Sequence, residues 1–288
     1  MRRRRSCATW WPREISARRA ARASTITGAD DVGALTDRHA LVTGAGRGIG
    51  LAIATALARQ GAALTLSARS ADQLACAAAA CEAAGSPSVA VEVCDLTDRE
   101  QLQQLAQVAA AADVLINNAG IAPSAPLERS DDELWDLTLG LDAFAPFALC
   151  RAALPAMAAR GFGRVVNVAS SAALEGYAYT SVYVAAKHAL LGLTRALSAE
   201  ASQRWREAEL SINAVCPGFV DTDIVANSAR RIAASSGLDE QAARARLAAM
   251  NPGGRLLSPE EVAACVLSLV LELPASTHGA ALRLPADD

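Results

Sequence analysis

The sequence predicts an α/β fold: one domain built on a doubly wound parallel sheet of about seven strands. Two observations carry the prediction. From Arg38 onward, short β-branched or leucine-rich runs alternate with longer Ala-rich stretches of helical character, with no internal repeat and no low-complexity linker between them. The first run is followed at once by a glycine-rich turn that opens a helix, as a βαβ unit requires.

The elements follow in order. His39 to Thr43 reads as a strand that should be buried, Ile49 to Gln60 as a helix, Ala63 to Ala68 as a strand, and Ala71 to Ala84 as a helix. Val89 to Val93 (strand), Asp98 to Ala112 (helix) and Val114 to Asn117 (strand) complete the first half. The second half keeps the rhythm, with a helical region from Asp131 to Arg160, a strand Arg164 to Val168, a helix from Tyr179 to Trp205 and a strand Leu210 to Val215. Residues 223–252 read as a loop and helical insertion. Pro259 to Leu271 is a helix, with Ser258 as its N-cap and Pro and Glu in its first turn, and Ala280 to Leu284 is the last strand.

Composition bounds what such a domain does. The 288 residues are 52% hydrophobic, enough for a full core, and no run of about 18 uncharged apolar residues marks a membrane span. The formal charge of -3 hides an asymmetry: residues 1–22 hold eight Arg and one acid, Glu14, while the rest carries 19 basic and 29 acidic residues. A body that acidic argues against nucleic-acid binding. The Arg-rich start is read as an extension over residues 1–35, outside the domain of residues 36–288. It has the composition of an organelle transit peptide or of a disordered tail. The expected location is the cytoplasm, with organelle import as the alternative. Seven cysteines, lacking C-x-x-C spacing or a nearby His, read as small buried thiols of a reducing compartment.

The chemistry lies at two places. Thr43 to Gly50 (TGAGRGIG) joins the first strand to the first helix, so its glycines let the backbone approach a pyrophosphate at a helix N-terminus. Gly44, Arg47 and Ile49 are the candidate contacts. The end of the second strand carries Arg69 where an acid would bind a ribose 2′-hydroxyl, which with Arg47 suits the 2′-phosphate of NADP(H). Asp95 and Leu96, past the third strand, fit the adenine edge, and Asn118, past the fourth, the middle of the cofactor. At the second place, Tyr183 and Lys187 stand four apart on one helix face. Lys187 is the single lysine of a chain that otherwise uses arginine throughout, which points to a role for a compact ammonium. An adjacent ammonium and the positive nicotinamide ring should together lower the phenol's pKa and let Tyr183 exchange a proton with a substrate oxygen, while Ser170 holds that oxygen. Ser171 is its neighbour.

These motifs in this order resemble the short-chain dehydrogenase/reductase superfamily over about residues 36–285. The glycine turn, the Asn117 to Gly120 run, Ser170 thirteen residues before Tyr183, the Tyr-x-x-x-Lys pair, and Pro217-Gly218 with Thr222 carry the resemblance. It implies a Rossmann-type domain gripping its cofactor through Gly44, Arg47, Ile49, Asp95, Asn118, Tyr183, Lys187 and Val220. A homotetramer or homodimer and chemistry without a metal are implied too. Where the family has an Asn that helps hold a water to the lysine, this chain has Asp142, placed by Phe144-Ala145-Pro146-Phe147. Its charge should bias both Lys187 and Tyr183. Asn213 to Thr222 and Met250 to Val262 are similar to enzymes acting on 3-oxoacyl or 3-hydroxyacyl thioesters of CoA or a carrier protein, polyketide ketoreductases included. Arg230, Arg231, Arg244 and Arg246, in the insertion, are then candidates for the thioester's phosphate. The alternatives are another carbonyl (small ketone, sugar or steroid) and a catalytically weak nucleotide-binding regulator.

Overall fold

Seven parallel strands stand in the order β3-β2-β1-β4-β5-β6-β7, in a computed structural model that describes residues 33–271 and 279–285. The strands are β1 His39–Thr43, β2 Ala63–Ala68, β3 Val89–Val93, β4 Val114–Asn117, β5 Phe162–Val168, β6 Glu209–Pro217 and β7 Ala281–Leu284. Of the extension expected over residues 1–35, residues 1–32 lie outside the described residues. Leu35 packs in the core and donates its N–H to the Gln60 carbonyl at 2.9 Å, so the fold begins before residue 36.

The helices cover both faces. On one face, α1 Gly48–Arg59 and α9 Pro259–Leu271 bury Ile53, Leu57, Val266 and Leu269 against Val42, Ile116 and Val166. The α9 start is a reciprocal cap: Ser258 Oγ accepts from Glu261 N at 3.2 Å, while a Glu261 carboxylate oxygen accepts from Ser258 N at 2.7 Å. On the other face, α3 Arg99–Ala111, α5 Ala145–Arg160 and α6 Ser181–Arg204 pack Leu102, Leu149, Met157 and Ala201 against Leu41, Leu115, Val165 and Ile212. Helix α2 Ala71–Ala83 flanks the β2–β3 edge. Because β3 is the edge strand, Val91 and Val93 are exposed.

The helical region expected as one piece from Asp131 is broken. Helix α4 Asp132–Leu139 runs into a π-turn, Gly140–Phe144, before α5 begins. A π-turn inserts one extra residue, so the side chains that follow are re-aimed relative to the preceding helix. The stretch Asp132–Arg160 is long and apolar enough by composition to cross a membrane, a feature that an uninterrupted-run criterion misses. Half of its most apolar window is buried inside the protein, which accounts for its composition. Five of the six described cysteines are buried, and burial pushes the thiols of Cys150 and Cys265 up to about 12; Cys76 is exposed.

A buried polar ladder ties the middle of the sheet to α6. Asn117 Nδ2 on β4 donates to Asn167 Oδ1 on β5 at 2.8 Å, and Asn167 Nδ2 donates to Thr194 Oγ1 on α6 at 2.8 Å. Thr194 in turn donates to the Leu190 carbonyl at 2.8 Å. Every link is buried, so losing Asn167 removes at once the oxygen acceptor of Asn117 Nδ2 and the donor to Thr194 Oγ1. Asn167→Ala is therefore expected to destabilise the protein by about 3 kcal/mol, read as a lower urea midpoint at unchanged slope. A change below about 0.5 kcal/mol, the range of ordinary surface substitutions, would show that the ladder does not hold α6.

Candidate active site

The strand order reverses between β1 and β4, and a crevice opens there beyond the carboxyl ends of the strands. A cavity of about 1020 Å³ occupies it. Its walls include Gly44, Arg47, Ile49, Arg69, Asp95, Leu96, Asn118 and Val220 from the cofactor set. Asp142, Ser170, Tyr183 and Lys187 line the same cavity. The structure thus brings every cofactor and catalytic residue singled out from the sequence to one place.

At one end the backbone forms a cradle. Gly44 has φ of 64°, and a Cβ on Gly50 would lie 2.2 Å from the Gly44 carbonyl oxygen, so neither position admits a side chain as built. Asn118 locks this turn by donating Nδ2 to the Thr43 carbonyl at 2.9 Å and to the Gly44 carbonyl at 3.2 Å, while its own N–H donates to Thr43 Oγ1. Its amide therefore shapes the cradle. The N-cap of α1, Arg47, makes no side-chain cap, which leaves the first amides of the helix facing the cavity. A closely approachable backbone at a bare helix N-terminus fits the pyrophosphate of a dinucleotide. Thr97 holds the Asp95 carboxyl below the usual range through its N–H and hydroxyl, and Arg69 adds to the effect against burial. Arg69 itself is exposed. The Arg47 side chain forms an ion pair with Asp223 at the start of α7 Asp223–Ser236, a partner that the sequence did not disclose. Both groups are largely exposed, so the pair is worth about 1 kcal/mol or less and leaves Arg47 available to a phosphate.

At the other end stand the candidate catalytic groups, Asp142, Ser170, Tyr183 and Lys187. Lys187 is buried, with Nζ 3.1 Å from Asp142 Oδ2 and donating to the Val168 carbonyl at 3.2 Å. It also lies 5.7 Å from the centre of the Tyr183 ring. The other Asp142 oxygen accepts from Ile121 N at 2.9 Å. The π-turn aims this carboxylate inward, and Gly120 makes room for it: a Cβ there would press on both oxygens at 3.1 Å. Burial opposes the Lys187 charge, but Asp142 and Tyr183 together hold the ammonium above the ordinary lysine range. Burial likewise pushes the Asp142 carboxyl up, against the pull of Lys187 and of the Ile121 N–H. The Tyr183 phenol departs from expectation. It is raised, because burial and the Asp142 charge outweigh Lys187 and the Ser170 hydrogen bond.

Ser170 is half-buried at the end of β5, where its Oγ accepts from Ala172 N at 3.1 Å and its hydroxyl meets the Tyr183 phenol. Ser171 is committed elsewhere, to a 2.9 Å hydrogen bond with the Tyr177 hydroxyl, which in turn donates to Glu175 at 2.9 Å. Tyr177 and Phe219, packed edge to face at 6.2 Å, were not legible as site residues, because a lone aromatic in a loop carries no spacing signal. The insertion forms α7 and α8 Glu240–Ala248, which pack together through Val225, Ala229, Ala243 and Leu247. Asn251 pins its return to the sheet: Nδ2 donates to the Phe219 and Arg255 carbonyls at 2.8 and 2.7 Å, and Oδ1 accepts from Phe219 N at 2.8 Å. Of the four arginines expected to face a substrate phosphate, Arg246 alone lines the cavity. Arg230 and Arg231 turn back to Asn227 and Ser228 on their own helix, and Arg244 pairs with Asp221.

A dinucleotide cradle beside a Ser-Tyr-Lys group defines an oxidoreductase acting on an alcohol or carbonyl carbon. The chain belongs to the short chain dehydrogenase family, whose model matches residues 38–233. It is 34% identical over 251 residues to D-beta-hydroxybutyrate dehydrogenase of Cupriavidus necator, covering 85% of this chain and 95% of that one. It is 38% identical over 259 residues to cis-4-hydroxycyclohexanecarboxylate dehydrogenase of Sinomonas cyclohexanicum, covering 87% and 96%. Among solved structures, a point variant of actinorhodin polyketide ketoreductase with NADPH superposes with a TM-score of 0.79 at 32% identity, covering 86% of this chain and 95% of that one.

The pair of buried charges next to the phenol sets a pH prediction. Asp142 raises the Tyr183 pKa, so Asp142→Asn removes that contribution and lets the Lys187 ammonium act with less offset. With Tyr183 as the candidate base of alcohol oxidation, the rising limb of kcat/KM is expected to move to lower pH. An unmoved limb would show that the carboxylate is not felt at the phenol.

Proposed function

We propose that this enzyme interconverts a ketone and a secondary alcohol with NADP(H), on a 3-oxoacyl or 3-hydroxyacyl thioester. The carrying observation is that Tyr183 and Lys187, one turn apart on α6, share a cavity with Ser170 and with the glycine cradle of α1. Gly44, Ile49 and the α1 amides would hold the pyrophosphate, Arg69 and Arg47 the 2′-phosphate, Asp95 and Leu96 the adenosine, and Val220, Tyr183 and Lys187 the nicotinamide half. When bound, NADP(H) supplies or accepts the hydride. The absent acid at the end of β2 and the NADPH in the actinorhodin ketoreductase structure both support the phosphorylated cofactor.

The chain's own residues handle the proton. Ser170 and Tyr183 converge on one substrate oxygen, the serine as a hydrogen-bond donor and the tyrosine as acid or base. A phenol raised by burial stays protonated at neutral pH, the form that donates to a carbonyl oxygen. Lys187, with its charge kept by Asp142, stabilises the phenolate that donation leaves behind. The polyketide ketoreductase neighbour supports an acyl chain carried on a thioester. The two relatives named for hydroxy acids, the hydroxybutyrate and hydroxycyclohexanecarboxylate dehydrogenases, support a free hydroxy acid as the second reading. A homo-oligomer working in the cytoplasm completes the proposal.

The test is NADPH oxidation with acetoacetyl-CoA by the purified chain. Tyr183→Phe is expected to lose about 10²- to 10⁴-fold in kcat while NADPH binding, read by fluorescence, persists. Arg69→Asp is expected to lower the NADPH over NADH preference in kcat/KM about ten- to hundredfold, the value of a charge-assisted phosphate contact. Near-normal turnover in the first variant, or an unchanged preference in the second, would contradict the assigned role.

A further inference from the structure

The lid end of the cavity has a chemical character distinct from the rest. Of the nine exposed large apolar side chains among the described residues, four line this cavity: Leu137, Tyr179, Ile224 and Met250. Tyr179 is 70% exposed and adopts a φ of 66°, a left-handed conformation that a bulky residue holds only where its surroundings enforce it. Exposed apolar side chains on the wall of a cavity mark a ligand surface.

One cation sits on that wall. Arg246, on α8 beside Leu247 and Met250, lines the cavity, and among the described residues its side chain has neither an ion pair nor a hydrogen bond. The neighbouring arginines of the lid contrast with it. Arg244 is tied to Asp221, Arg255 to Glu261, and Arg230 and Arg231 to side chains on their own helix. The acids that line the cavity are committed elsewhere: Asp223 to Arg47, Asp142 to Lys187, and Asp95 to Thr97. No carboxylate from α8 faces the cavity. The lid hydroxyls add no competing positive group, since Ser228, Ser235 and Ser236 all donate to carbonyls of their own helix.

We infer that Arg246 is a specificity-determining residue: it receives an anionic group, carboxylate or phosphate, on a carbonyl substrate whose apolar body rests on Leu137, Tyr179, Ile224 and Met250. The inference deepens the proposed function and rests on it for the reaction at Tyr183, but not for the thioester. Arg246 is exposed on the cavity wall, and a guanidinium meets either oxyanion through paired, charge-assisted hydrogen bonds.

Two substrate pairs test it and separate the sources of the anion. The first is acetoacetyl-CoA against its neutral N-acetylcysteamine analogue, and the second is 4-oxocyclohexanecarboxylate against its methyl ester. Arg246→Gln is expected to lower the anionic-to-neutral ratio of kcat/KM about ten- to hundredfold in one pair, through KM, and the effect should shrink at high salt. Arg246→Lys should recover part of the ratio. A change confined to the first pair assigns a phosphate, and one confined to the second a carboxylate. If the wild type reduces only the cyclohexanones, the thioester reading fails while the second pair still decides for Arg246. Ratios unchanged in both pairs, a loss carried by kcat, or a wild type that turns over neither anionic substrate would overturn the inference.

Discussion

The site depends on keeping one buried ammonium charged. Burying an isolated cation costs several kcal/mol, and the usual escape is loss of the proton. Lys187 is held charged by Asp142 at 3.1 Å and by the Val168 carbonyl, and those two contacts in turn constrain what surrounds them. Asp142 reaches Lys187 only because the Gly140–Phe144 π-turn directs it inward, and it fits only because residue 120 has no side chain. A planar guanidinium is wider and presents a fixed fork, whereas the space between a carboxylate, a carbonyl and a phenol ring suits a point charge. That is a physical reason for a single lysine in a chain of arginines.

The sheet supplies the rest of the geometry. All seven strands end on the same side, so the loops after β1, β2, β3, β4, β5 and β6 deliver the cradle, Arg69, Asp95, Asn118, Ser170 and Val220 to one crevice. The Asn117–Asn167–Thr194 ladder fixes α6 against the centre of that sheet, and with it the helix that carries Tyr183 and Lys187. The lid is the looser part, a small core of its own pinned to the Pro217–Phe219 turn by Asn251.

Much of this was legible in the sequence because the signals were local. Strand runs, the glycine turn and the Tyr183–Lys187 spacing each sit within a few residues, and the structure places all seven strands within a few residues of their expected bounds. What escaped depends on contacts far apart along the chain. The Arg47–Asp223 pair spans 176 residues, and the turning of Arg230 and Arg231 onto their own helix follows from how α7 packs on α8. The π-turn leaves no mark in a pattern that is apolar on both sides of it. The balance at Tyr183 has a related origin: spacing reveals the ammonium four residues away, but burial, the larger effect on the phenol in the chain alone, belongs to the folded state.

Since Lys187 is the only lysine, the central claim can be read from one signal. In protein labelled with ¹³C at the lysine ε-carbon, a pH titration followed by NMR reports the protonation of that side chain alone. The account predicts a titration above the ordinary lysine range in the native chain and a lower one in Asp142→Asn, where burial is no longer opposed by a carboxylate. A native signal that titrates below the ordinary range, or one unmoved by the substitution, would contradict it.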